Sequence, residues 1–538
     1  SCKRITLVSS SVKHSSLIYY RKKEQRNSMR SFPHFIKGTL LLTCAGLLCR
    51  FSGFFYKIFL AHALGAEGIG IYQLIFPVFA VCHACTASGI ESAISRFTAG
   101  AVEKERSYAL KAGLFLSLSA SVLVCVLLWN QAEFIADKLL CESRCVTPLR
   151  ILAPVIPLSA IHGCLQGYYL GQKKASLPAI SQILEQAARI GSVILLYRIF
   201  IQESRAITPS LAVLGLLFGE AASALFMLHF TVSEKRSTLP LSALRIQCRK
   251  ILSMALPLTG SRLSLTLLQS AEAVLIPVSL QTSGLSVSES LSLYGILTGM
   301  SLSFLMFPNA VTFSLSAMLL PTISEEQSRG NEQRISLSIE YTILFGLLMG
   351  IFCMGIFLFF GNELGTVVFH EPLAGSFLCT LAWICPFLYL TGNINSILHG
   401  LGKTGITFIN QLAAVLARIL ALLLFVPRFG IEGVLWSILI SQLLLCMSGL
   451  LAVSRHIHPT IGLDAYILKP AAAMLLSTGG IYLLKPLSHF MIFRSLSTIL
   501  ILAGNLCLCA ILYILLLLSF GIWKLFTSAR KFFYLQSQ

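Results

Sequence analysis

Charge is what this chain has least of. Only 12% of its 538 residues are Asp, Glu, Lys or Arg, about half of what a soluble globular chain carries. Acids are scarcest, 22 Asp and Glu against 41 Lys and Arg. Polar intervals of domain size are also missing, because no segment between apolar runs exceeds 20 or so residues. That excludes an appended soluble domain and leaves no room for the sizeable external loop of a membrane glycan polymerase or ligase, so the chain is not expected to be an enzyme. The 28 residues before Met29 are polar and basic and lack the apolar stretch that a signal peptide needs. They are expected to form, within residues 1–34, a disordered basic extension or upstream-translated segment outside the fold.

What is abundant is apolar length. Hydrophobic residues make up 56% of the chain, and runs long enough to cross a bilayer of about 30 Å recur throughout it. Reading for runs bounded by charge, Gly and Pro gives fourteen spans. Spans 1 to 7 are placed at 37–61, 70–95, 110–130, 149–170, 176–198, 209–232 and 250–280. Spans 8 to 14 follow at 290–320, 337–361, 373–399, 404–427, 431–454, 466–485 and 495–523. The fold class is therefore all-α, a polytopic membrane protein.

The basic excess does not mark a nucleic-acid face. If the amino end is cytoplasmic, 28 Lys and Arg fall in the amino tail, the inside loops and the basic tail from Lys524, against eight in the outside loops. That bias orients both termini to the cytoplasm. Most cysteines lie inside apolar runs, where they behave as small hydrophobes. Cys141 and Cys145 share a loop that offers no His or further Cys, so no metal or cofactor is expected. The stretch "HGLGKTG" at 399–405 fails the spacing of a phosphate loop and reads as a turn.

An internal repeat organises the spans. Shifted by 229, residues 152–190 fall on 381–419 with eleven of 39 positions identical, among them Pro157 on Pro386, Gln182 on Gln411 and Arg189 on Arg418. The copies are spans 4–5 and 10–11. Six spans separate them, an even number, so both copies keep one orientation and the halves are parallel repeats about an axis along the membrane normal. The organisation expected is a first lobe at 35–232, a linker at 233–249, a second lobe at 250–455, spans 13 and 14 within 456–523, and a cytoplasmic tail at 524–538.

Charges inside the membrane carry the functional signal, because each costs several kcal/mol unless it is paired or wet. Five cations, Arg50, Lys57, Arg189, Arg262 and Arg418, and four acids, Glu91, Glu185, Glu220 and Glu272, lie within spans. Glu185 and Arg189 stand four residues apart and can pair on one helix. Arg418 has Ala414 in the matching place, so its counter-charge must come from another span, Glu220 or Glu272. Arg50 sits near mid-helix, about 20 Å from either end, too deep to snorkel. It either pairs with Glu91 or lines a polar cavity that takes an anion. Arg262 and Glu272 give span 7 a comparable polar insertion, so a polar cavity is expected between spans 1 and 7. Prolines at 77, 154, 157, 257, 277, 308 and 386 mark kinks.

Residues 35–79, "FIKGTLLLTCAGLLCRFSGFFYKIFLAHALGAEGIGIYQLIFPVF", resemble the opening of the stage V sporulation protein B and polysaccharide-biosynthesis transport family. Residues 86–99 and 255–280 continue the likeness. The family belongs to the multidrug/oligosaccharidyl-lipid/polysaccharide superfamily, together with the lipid II flippases and the MATE antiporters. The resemblance implies two six-helix lobes around a cationic cavity, two extra helices forming a groove for a lipid tail, and a bacterial cell-membrane location. Lipid II flippases carry an essential arginine in an R-x-x-G-F setting, which Arg50-Phe51-Ser52-Gly53-Phe54 matches. Their next first-helix arginine falls at Tyr56, one residue from Lys57, and their early second-helix acid falls near Ile71. The function expected is flipping of a polyprenyl-diphosphate-linked saccharide, such as lipid II or a wall, spore-cortex or polysaccharide precursor, by alternating access. Arg50 would hold the diphosphate with help from Lys57 and Arg262. Glu91, Glu272 and Arg418 would line the cavity or supply counter-charge, and Glu185 with Arg189 would be structural. Membrane lipids and a coupling ion, Na+ or H+, are the other expected partners. The competing expectation is a MATE-like cation-coupled multidrug antiporter, which needs uncompensated carboxylates facing the cavity.

Overall fold

The computed structural model describes residues 2–232, 240–456, 462–491 and 498–522. Among them every regular element is helical. Eleven helices are long and apolar enough to cross a membrane, or up to twelve if each bent pair is one span. The first of the eleven, Leu41–Thr98, has 58 residues and holds spans 1 and 2. They part at Gly65, whose φ of 69° and ψ of 176° break the helix. Nothing crowds the place where a Cβ would stand, so backbone conformation alone calls for glycine here.

The chain reverses at that break, as its contacts with span 8 show. Phe307, Phe304 and Ser303 of span 8 meet Phe51, Phe54 and Lys57 in opposite order. Beyond the break Gly295 adjoins Gly70, and Gly299 adjoins Ile69 and Gln73, so the order is now the same. Span 8 thus runs antiparallel to span 1 and parallel to span 2. The approach is close: a Cβ on Gly70 would stand 2.1 Å from the Leu291 carbonyl oxygen, and one on Gly295 would stand 2.0 Å from that of Ala66. Span 7 runs antiparallel to span 2, with Ser270 donating to the Pro77 carbonyl at 3.2 Å and Gly89 packed on Thr259.

The other expected spans fall on helices. Span 4 is bent by 43° between Ser143–Leu152 and Val155–Gly171, at Pro154 and Pro157. Span 13 lies on Lys469–Met491 and span 14 on Thr498–Ser519. At three places helices run past the expected bounds. Residues 2–34, expected as an extension outside the fold, lie in the first part of the helix Cys2–His83; nothing before Pro33 is Gly or Pro, so no residue there breaks a helix. The second is the linker at 233–249. Its later part is helical, because span 7 begins at Leu241 and runs 42 residues to Thr282, while 233–239 lie outside the described residues. Span 9, Glu332–Phe369, likewise has 38 residues where 337–361 was expected. The tail at 524–538 lies outside the described residues. One apolar core cluster joins residues as far apart as Leu60, Leu74, Leu297, Tyr389 and Cys509.

Candidate functional site

Arg50 is exposed and lines a cavity of about 520 Å³. Span 1 contributes Thr43 and Arg50, span 5 Gln182, Glu185 and Gln186, and span 8 Ala310 and Ser314. Just past Arg50, toward Gly65, the rings of spans 1 and 8 close together. Phe51 and Phe307 lie 4.8 Å apart, Phe54 and Phe304 5.3 Å, and Phe54 and Phe307 4.5 Å. A second contact follows, in which the Lys57 ammonium donates to Ser303 Oγ at 3.3 Å. At the end of the helix His62 Nε2 stands 3.1 Å from His370 Nδ1. Lys57 is therefore not beside Arg50 in the cavity, as expected, but beyond the phenylalanines, tying span 1 to span 8. The seven-residue spacing puts the two cations on one face, yet the rings between them divide that face.

Arg262 does not share the Arg50 cavity either. It lines another of about 460 Å³, with His83 and Ser88 of span 2, Thr266 and Gln269 of its own helix, and Gln411 of span 11. In place of one cavity between spans 1 and 7, the structure has one at spans 1, 5 and 8 and one at spans 7, 11 and 2. The sequence gives the face of each arginine but not which neighbour that face meets. Glu91 joins neither lining. It packs against span 4, its Oε2 3.7 Å from where a Gly163 Cβ would stand, so it is not placed as a partner for Arg50.

The remaining intramembrane charges gather into two clusters. In the first half Arg189 pairs with Glu185. The Glu185 carboxylate is 3.9 Å from His162 Nδ1, and that nitrogen is 3.2 Å from Glu220 Oε2. Ser181 Oγ approaches His162 Nε2 at 3.2 Å. Ligand atoms of His162, Glu185 and Glu220 all lie within 4.8 Å of one another, largely buried. Arg189 compensates Glu185, so with a neutral imidazole the cluster keeps one negative charge, which a proton or a metal cation among these groups would offset. No metal was expected; these residues can hold one. Tyr56 Oη and Arg189 Nε are buried there without hydrogen-bond partners among the described residues. Glu185, expected as half of a structural pair, thus also faces the Arg50 cavity and this cluster.

In the second half Arg418 Nη1 donates to Glu272 Oε1 at 2.8 Å and its Nε to Ser441 Oγ at 2.6 Å. Glu272 is therefore the partner that the sequence could not choose. Thr391, the repeat mate of His162, accepts from Gln442 Nε2 at 3.0 Å. The second half thus has neutral groups where the first half has titratable ones. His162 is not legible in the sequence, because one histidine in an apolar run gives no signal until acids from spans 5 and 6 meet it. The repeat register, His162 over Thr391, was the available clue.

A family model described as polysaccharide biosynthesis protein matches residues 35–327. Stage V sporulation protein B of Bacillus subtilis (strain 168) is 28% identical over 504 residues, 91% of this chain and 96% of the relative. Lipid II flippase MurJ of the same bacterium is 21% identical over 458 residues, 78% of this chain and 82% of its own length. Among solved structures, lipid II flippase MurJ in an inward closed conformation superposes with a TM-score of 0.69 at 14% identity, over 89% of this chain and 98% of that one. An inward-facing multidrug resistance MATE family transporter of the MOP superfamily gives 0.63 at 16%, over 77% and 97%. At such identities the likeness shows the fold, a helical membrane transporter fold.

Proposed function

The chain belongs to the polysaccharide biosynthesis protein family, and on that premise we propose that it is a flippase. Its substrate is a polyprenyl-diphosphate-linked saccharide, moved across the cell membrane by alternating access. The observation that carries the reading is Arg50, a mid-helix guanidinium that is exposed and lines a cavity of about 520 Å³. In a cavity walled by low-dielectric helices a guanidinium binds phosphate oxygens strongly and in a fixed geometry. The prenyl tail stays in lipid beside span 14, where an apolar groove of about 600 Å³ runs between Phe345, Met349 and Phe352 of span 9 and Tyr513 and Ile514 of span 14. Both termini face the cytoplasm by the charge bias, so the Phe51, Phe54, Phe304 and Phe307 rings close the cavity toward the outside. The two repeat halves rock about this seam. No covalent step is required. The His162, Glu185 and Glu220 cluster takes the coupling cation, Na+ or H+, while the Arg418 and Glu272 pair keeps the second half neutral without one.

The test is complementation of a flippase-depleted bacterium. The wild-type chain rescues growth and Arg50→Ala does not; equal rescue by both removes Arg50 from the anion site. A cation-coupled multidrug antiporter is the second reading, favoured by Glu185 facing the same cavity as Arg50. Ethidium efflux from cells expressing the chain supports the antiporter, and its absence alongside rescue supports the flippase.

A further inference from the structure

A diphosphate needs one guanidinium cavity, and this molecule has two. Under the six-span repeat, spans 1, 5 and 8 correspond to spans 7, 11 and 2, so the Arg262 cavity is the counterpart of the Arg50 cavity. Gln182 in one and Gln411 in the other are repeat mates. The two linings differ in their acids: Glu185 faces Arg50, whereas no acid is among the residues lining the cavity of Arg262. Thr266 and Ser88 donate their hydroxyl protons to the carbonyls of Arg262 and Ala84, at 2.9 and 3.2 Å. The donors left facing the cavity are Arg262, His83, Gln269 and Gln411. No hydrogen bond or ion pair among the described residues engages the Arg262 guanidinium. A guanidinium and two amides with no acid in the lining suit a planar oxyanion, which accepts two N–H bonds from one arginine.

We propose that the Arg262 cavity is a second oxyanion subsite, which receives a carboxylate carried on the saccharide while Arg50 holds the diphosphate. The substrate class is thereby an acidic glycan on a polyprenyl diphosphate, such as one bearing a uronic acid or a lactyl ether. This rests on the flippase reading above. A neutral sugar brings Arg262 no counter-charge within the lining, whereas the carboxylate meets it with charge-assisted bonds.

The test uses the full chain in lipid nanodiscs and calorimetric binding of two probes, a polyprenyl diphosphate carrying N-acetylglucosamine and the same lipid carrying glucuronate. Wild type binds the acidic probe about tenfold more tightly, the effect of one charge-assisted contact. Arg262→Gln abolishes that preference and keeps its affinity for the neutral probe; Arg262→Lys retains part of the preference; Arg50→Gln weakens both probes. Equal affinity of wild type for both probes overturns the proposal. So does a parallel loss of both in Arg262→Gln, whether from shared diphosphate binding or from misfolding. Free glucuronate that binds as tightly as the acidic lipid also overturns it, because the site then serves a soluble anion. If neither lipid binds wild type, the flippase reading itself falls, an outcome distinct from these.

Discussion

The guanidiniums within the spans have different settings, and the settings tell the residues apart. Arg50 is exposed and lines a cavity, Arg189 is paired on its own helix, and Arg418 is paired across helices with Glu272, the two side chains 22% and 12% exposed. Removing one member of such a pair costs far more than the pair itself contributes, because the other charge is left buried. Glu272→Gln, which keeps shape and removes charge, is expected to destabilise the folded state by about 3 kcal/mol. Thermal unfolding in detergent reads this as a lowered Tm. The double change Glu272→Gln with Arg418→Met should recover most of the loss, and a single variant that melts with wild type refutes the assignment. At this scale the sequence supplied the charged residues and their helix faces. It could not supply the rotation of one helix against another, which is why the Arg418 partner stayed open and the separation of Arg50 from Arg262 was missed.

Helices were legible from apolar length, but their ends were not. Span 7 is 42 residues long, about 63 Å at 1.5 Å per residue, twice the thickness of the hydrocarbon layer. Hydropathy marks where a segment leaves lipid, whereas hydrogen bonding decides where the helix stops; Arg245 and Arg249 lie beyond the first boundary and within the second. The turn at Gly65 and the contact of Gly70 with Gly295 are also invisible in composition, because glycine is ordinary in membrane helices. Their function is geometric. Gly295→Ala puts a methyl 2.0 Å from the Ala66 carbonyl oxygen, so span 8 must retreat from the break between spans 1 and 2. The expected cost is about 1–3 kcal/mol of stability, read as a Tm decrease. Gly284→Ala offers a contrast, since nothing stands within 4 Å of its Cβ position; there only the positive φ of 100° opposes the change. A Gly295→Ala variant that melts no lower than wild type would mean that the helices are less tightly apposed than described.

Closure of the whole molecule toward the outside depends on a seam that span 1 makes with spans 8 and 9 in three tiers: the phenylalanine rings and the Lys57–Ser303 contact with span 8 and, at the rim, His62 against His370 of span 9. Under alternating access all three must part for the cavity to open outward. The rim pair joins span 1 of the first repeat half to the end of span 9 in the second, so a bridge there should arrest the cycle. Its geometry permits one. In a tetrahedral zinc site each imidazole nitrogen lies about 2.0–2.1 Å from the metal, which puts two nitrogens about 3.3 Å apart; His62 Nε2 and His370 Nδ1 stand 3.1 Å apart and are exposed. Zn2+ added on the external side is therefore expected to slow transport of a fluorescent polyprenyl-diphosphate glycan in proteoliposomes, with a chelator restoring the rate. His370→Ala should transport without zinc and ignore the metal. Inhibition of that variant to the same degree as wild type would place the zinc effect elsewhere. Transport by wild type unaffected by zinc would mean that this rim does not stay closed long enough in the cycle to be trapped, and the rings of Phe51, Phe54, Phe304 and Phe307 would then be the tier that holds the outward side shut.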